Sequence, residues 1–96
     1  MASNFRIFIH RNNGNLQVKL MGDFDGSSAF ELINVLQEYS NKAGKIVINT
    51  GGLASIHPFG LGVFQNNYSI KKLSRALTFT GKYGSAIAPQ GSNSIR

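Results

Sequence analysis

The apolar residues of this chain change their spacing twice between residues 16 and 50, and that double change limits the folds open to it. In "LQVKLMG" at 16–22, Leu16, Val18 and Leu20 alternate with polar neighbours, the period of a strand with one buried face. "DFDGSSAFELINVLQEYSNKAG" then puts Ala29, Leu32, Ile33, Leu36 and Tyr39 or Ser40 on one helical stripe, and Gly44 closes it. Ser28, with Glu31 three residues on, forms a capping-box pattern, and Asp25 is placed to help cap the same helix start. "KIVINT" at 45–50 is a short β-branched run, which predicts a strand buried on both faces. Strand, helix and strand in this order require a right-handed crossover, so the two strands run parallel.

The flanks extend the same logic. "NFRIFIH" at 4–10 sets Phe5, Ile7 and Ile9 against Arg6, Phe8 and His10, a second alternating strand. "RNNGN" at 11–15 supplies residues that tolerate positive φ, so the first two strands form a hairpin. "GGLAS" at 51–55 reads as a loop. A second helix starts at Pro58 and runs to about Ser74, with Leu61, Phe64, Tyr68 or Ile70, and Leu73 at helical spacing. Within it Gly60 and Gly62 permit close backbone approach. "ALTFTG" at 76–81 is a fourth strand, and the tail from 82 to 96 holds at most one helical turn before Pro89 and Gly91 end it. The expected architecture is one α/β domain over residues 1–96, a mixed four-stranded sheet in the order β-β-α-β-α-β, flanked by helices. Ligands and partners of such sheets meet the carboxyl ends of the parallel strands. Two loops of that kind are "GDFDGSS" and "GGLASIHPFG".

Chemistry has little material here. The 96 residues carry four Asp/Glu, two His and no Cys, so disulfides and thiolate metal sites are excluded. Asp23 and Asp25 sit two apart, but no further oxygen ligands accompany them, and capping and turn formation account for the pair. His57 has no local base or nucleophile in a recognisable motif, so the chain is not expected to be an enzyme, nor to bind a metal or cofactor. "GKYGS" at 81–85 lacks the spacing of a phosphate loop. The net charge of +6 raises the question of nucleic acid, yet Arg6, Arg11, Lys19, Lys42, Lys45, Lys82 and Arg96 are dispersed. Only Lys71, Lys72 and Arg75 cluster, at a predicted helix end where cations suit the dipole. No apolar run reaches the ~20 residues of a membrane span, and "MASNFRIFIHRNN" lacks a secretory layout, so a cytoplasmic location is expected.

Two segments together resemble the STAS domain, the family of anti-sigma factor antagonists that also forms the cytoplasmic tails of sulfate transporters. "VKLMGDFDGSSAFELINVL" at 18–36 is similar to the family's strand, G-[E/D]-x-D turn and first helix. "KIVINTGGLASIHPFGLGVF" at 45–64 is similar to its strand, short loop and D-S-[ST]-G-L-G helix start. The resemblance covers about residues 4–81 and implies a binding module whose antagonist members compete for an anti-sigma factor kinase. In the family, phosphorylation of a hydroxyl at the start of the second helix switches that binding off. A phosphate there adds nearly two negative charges beside the neighbouring carboxylates, only partly offset by the helix dipole.

Carried over position by position, Gly22 and Asp25 match the first loop, and Gly60, Leu61 and Gly62 match the G-L-G. The three residues before them depart. His57 stands where the family has Asp, Pro58 where it has the first Ser, and Phe59 where it has the phosphorylated Ser or Thr. Phe59 has no hydroxyl, so no phosphorylation is expected there, and Ser55 is no positional substitute. Pro58 still suits a first helical position, where its missing N–H is not needed. Phe59 either enlarges an exposed contact surface or turns inward beside Gly62, and the sequence leaves both open. The resemblance thus implies a non-catalytic interaction module, constitutive or scaffolding, with Asp23, Asp25, Ser27, Ser28, Ser55, His57, Pro58, Phe59 and Gly60 as its partner-binding or switch-loop positions. Its partners would be an anti-sigma factor kinase, other STAS proteins or a second copy of itself. An alternative is a sensor of an anion or nucleotide held between the same loops; nucleic-acid binding has the least support.

Overall fold

A computed structural model describes residues 4–95 of the chain; Arg96, counted above among the dispersed cations, and residues 1–3 lie outside them. Strand β1 (Arg6–Asn12) and strand β2 (Asn15–Phe24) pair antiparallel, from Arg6 opposite Met21 to Asn12 opposite Asn15. The two residues between them, Asn13 and Gly14, have φ of 52° and 83°, as a two-residue hairpin turn of the predicted kind requires. Helix α1 (Gly26–Tyr39) leads to strand β3 (Ile46–Ile56), which lies parallel to β2. Helix α2 (Pro58–Gln65), helix α3 (Tyr68–Leu73) and a 3₁₀ turn at 74–76 lead to strand β4 (Leu77–Thr80), parallel to β3. Helix α4 (Gly84–Ile87) and strand β5 (Asn93–Ile95) follow, and β5 pairs parallel with β4. The sheet order is β1-β2-β3-β4-β5.

The sheet therefore has five strands, not four. The fifth lies in the tail that reads as irregular: after the helical turn Gly84–Ile87, the Ser92 N–H donates to the Pro89 carbonyl. Gly91, at φ 93°, completes the turn that sets 93–95 beside β4. The second helix is also divided. Asn66 ends α2, and the Asn67 side chain accepts from the Ile70 N–H to start α3, because an Asn side chain competes with the helical backbone and caps a new start.

Segment 51–55 is strand rather than loop. Between the pairs Lys19–Asn49 and Met21–Gly52, β3 spends one more residue than β2, and it does so again between Gly22–Leu53 and Asp23–Ser55. These are bulges, and glycine suits the first of them: a Cβ on Gly52 would lie 2.8 Å from the Leu20 carbonyl oxygen.

The strand 45–50 is buried on one face only. Ile46, Ile48 and Thr50 are buried, while Val47 is half-buried and Asn49 exposed. The same alternation runs through β2, where Leu16, Val18 and Leu20 are buried and Gln17, Lys19 and Met21 exposed. The buried face packs with Leu32, Ile33 and Leu36 of α1, Phe64 of α2, Ile70 of α3 and Ile87 of α4 into one cluster. Across it, Phe5, Phe24, Phe64 and Phe79 make successive edge-to-face contacts with centroids 6.1, 6.2 and 5.9 Å apart. The far face of the sheet carries no helix among the described residues.

Candidate functional site

The ends of β2 and β3 bring the two candidate loops together. β2 finishes at the buried Phe24, and Asp25 follows as the N-cap of α1. Its carboxylate accepts from the Ser28 N–H at 2.9 Å and the Ser27 hydroxyl at 2.9 Å. The cap is thus Asp25, not Ser28 with Glu31: Ser28 sits buried in the first turn. Its hydroxyl lies 2.7 Å from the Asp23 carbonyl oxygen and 3.1 Å from the Asp25 carboxylate. The Ser28 N–H beside it, opposed by partial desolvation and aided by the two serine hydroxyls, holds the Asp25 carboxyl down at about 2. Asp23 points its carboxylate across the sheet, where it accepts from the Ser55 hydroxyl at 2.6 Å.

On the other strand, the His57 N–H donates to the Phe24 carbonyl at 2.9 Å. His57 then serves as the N-cap of α2, exposed and with no side-chain cap bond, and Pro58 opens the helix. Leu61 N–H bonds back to the His57 carbonyl at 3.1 Å, so losing the proline N–H costs this helix no bond. Gly60 is buried against the β2–α1 corner: a Cβ there would stand 2.7 Å from the Asp25 carbonyl carbon and oxygen. The second glycine behaves otherwise. Around Gly62 a Cβ would meet only the Asn66 amide at 4.0 Å, so close approach belongs to Gly60 alone of the two.

Phe59 points outward. It is 73% exposed, and the edge of its ring rests over Gly26, where an added Cβ would lie 2.8 and 2.9 Å from ring carbons. One turn further along α1, Phe30 is 56% exposed, and this second phenyl is a feature the sequence reading missed. A signal existed: Phe30 falls beside the apolar stripe of Ala29, Leu32, Ile33 and Leu36 rather than on it. The structure thus brings Asp23, Asp25, Ser27, Ser28, Ser55, His57, Pro58, Phe59 and Gly60 to one corner. Its three serine hydroxyls all donate to Asp23 or Asp25. What projects from the corner is the Phe59 ring, with the exposed His57 and Pro58 beside it.

The parallel β2-β3-β4 core, the antiparallel β1 and the meeting of α1 and α2 at the strand ends make this a STAS-like fold. Among solved structures, the chain is similar to the anti-sigma factor antagonist SpoIIAA in its unphosphorylated form. The TM-score is 0.65 at 11% identity, over 96% of this chain and 87% of that one. It is similar also to an uncharacterized protein of the DUF3478 family with a SpoIIAA-like fold from Shewanella loihica PV-4. There the TM-score is 0.63 at 13% identity, over all of this chain (100%) and 91% of the other. No family model matches the sequence, and no curated protein does. Among the described residues no helix is long and apolar enough to cross a membrane.

Proposed function

We propose that the chain acts as one STAS-like, non-catalytic protein-interaction domain of the anti-sigma-factor-antagonist type, and that its binding surface is not switched off by phosphorylation. The observation that carries this reading is Phe59, exposed at the start of α2 and seated on Gly26 at the start of α1. The corner keeps the shape of a switch segment while a phenyl occupies the hydroxyl position. Exposed aromatic anchors supply much of the binding free energy at protein interfaces. The nearby hydroxyls of Ser27, Ser28 and Ser55 already donate to carboxylates, so a phosphate on any of them would bring a dianion against Asp23 or Asp25.

The test pairs the chain with an anti-sigma factor kinase of the class that acts on STAS proteins. Calorimetry is expected to show a complex whose affinity is unchanged by prior incubation with ATP, and intact-mass spectra no added phosphate. Phe59→Ala is expected to weaken the complex roughly thirtyfold, as removal of an interface anchor does. Stoichiometric phosphate on Ser55 or Ser28, or an affinity indifferent to Phe59→Ala, overturns the reading. Two features weigh against a sensor of anions at the same corner: the Asp25 carboxylate occupies the start of α1, and α2 begins with a proline that has no N–H to offer.

A further inference from the structure

The uncovered face of the sheet has a composition of its own. Across four strands, residues in register place Phe8 beside Lys19, Lys19 beside Asn49, and Asn49 beside Thr80. Neighbouring strands lie ~4.8 Å apart, so an aromatic ring, a cation, an amide and a hydroxyl stand abreast. Phe8 is 51% exposed, and Arg6 and His10 flank it two residues away on the same face of β1. A groove of about 380 Å³ runs between Phe8, His10, Gln17, Lys19, Val47 and Asn49. Asn49 accepts from the Gly51 N–H at 2.8 Å, which holds its amide in place, and its own N–H donors have no partner among the described residues.

Charge is segregated as well. No Asp or Glu lies on β1, β3, β4 or β5. The one on β2, Asp23, is four residues from Lys19, roughly 13 Å at strand spacing, and is held by Ser55. Elsewhere, Arg11 and Lys42 stand over Tyr39, Lys72 over Tyr68 and Lys82 over Tyr83. Arg6 and Lys19 have no ion pair or ring contact among the described residues.

We propose that this open face binds single-stranded nucleic acid, a base stacking on Phe8 with the backbone phosphates drawn to Lys19 and Arg6. A ring beside cations on a bare sheet is what a splayed-out base with its phosphate requires, and the Asn49 amide in the same row is placed to meet the base edge. An acidic peptide would use the cations and leave Phe8 without a role. A duplex hides its base faces and would meet the cations alone. This surface is separate from the switch corner, so its test stands or falls independently of the function proposed above.

Fluorescently labelled oligouridylate and oligothymidylate about a dozen nucleotides long, a length suited to such platforms, are titrated with the full chain by anisotropy. Salt is varied between about 50 and 200 mM. Saturable binding is expected that weakens with salt and is not displaced by polyglutamate at equal charge. Phe8→Leu, which keeps apolar bulk but removes the ring, is expected to weaken it roughly tenfold. Lys19→Ala is expected to weaken it and to make the log–log salt slope shallower by about 0.7. Lys71→Ala, on α3, is expected to leave it unchanged. Circular dichroism confirms that each variant remains folded. Absence of binding at the lowest salt overturns the proposal. So does indifference to Phe8→Leu, equal loss in Lys19→Ala and Lys71→Ala, or displacement by polyglutamate, which would mark a site for acidic protein.

Discussion

The corner where α1 and α2 begin and the open sheet face are built on opposite plans. At the corner the polar groups are spent on one another: Ser27 and Ser28 on Asp25, Ser55 on Asp23, and the backbone of His57 on Phe24. Beyond these bonds, the Phe59 ring and the His57 side chain are left to project. On the open face the polar groups are left over, and Lys19, Gln17 and the Asn49 donors point to solvent around one phenyl. A corner whose chemistry is internally satisfied is rigid and selective by shape. A face with unspent charge attracts by field.

That contrast is breakable by mutation, and the largest effect is expected at Gly60. Gly60→Val drives a side chain into the Asp25 backbone and is expected to cost about 3 kcal/mol, as overpacking does. The midpoint of thermal unfolding should fall by roughly 12 °C or more in a chain of this size. Gly62→Ala, two residues away in open space, is expected instead to gain about 0.5–1 kcal/mol by restraining the unfolded chain. Equal losses at both, read by urea unfolding, would erase the distinction between a pinned and a free glycine.

A smaller effect is expected from the cap. Asp25→Ala should lower the urea midpoint by less than Gly60→Val does, because it removes the side chain that caps α1. Because folding lowers this carboxyl from 3.8 to about 2, its contribution is present above pH 4 and is lost as pH falls through 4 toward 2. Urea midpoints across that window should therefore drop more steeply for the native chain than for Asp25→Asn. The smallest effects belong to the open face: Lys19→Ala and Gln17→Ala should leave stability within about 0.5 kcal/mol. A larger loss there would mean that the face is structural rather than vacant for a partner.

Much of this arrangement could be read from the residues. The switch between alternation and helical stripe located β2, α1 and the first part of β3, and the order of elements implied the parallel core. Asp25 was recognisable as a capping carboxylate just ahead of a helical stripe, and Gly60 as a glycine able to approach a neighbouring backbone. What escaped depended on distant partners. Asn93-Ser94-Ile95 has no strand pattern of its own and is a strand only because β4 offers it a ladder. Gly51-Gly52 suggested a loop, since glycine serves bulges and loops alike. The break at Asn66-Asn67 lay within a helical spacing that the apolar residues alone do not interrupt. Whether Phe59 faced in or out turned on Gly26, thirty-three positions earlier in the chain, against which its ring rests.

The chain of edge-to-face phenyls has a consequence for how such a corner changes over time. Phe24 immediately precedes Asp25, and Phe64 lies on the helix that Pro58 begins; both belong to the same stack, with Phe79 of β4 beyond them. The form of the corner is thus anchored from beneath, by rings no partner touches. Residues on its surface are free to drift in chemical character without altering its outline. Whatever side chain stands at position 59, the scaffold holds it at the same point, over Gly26 at the start of α1.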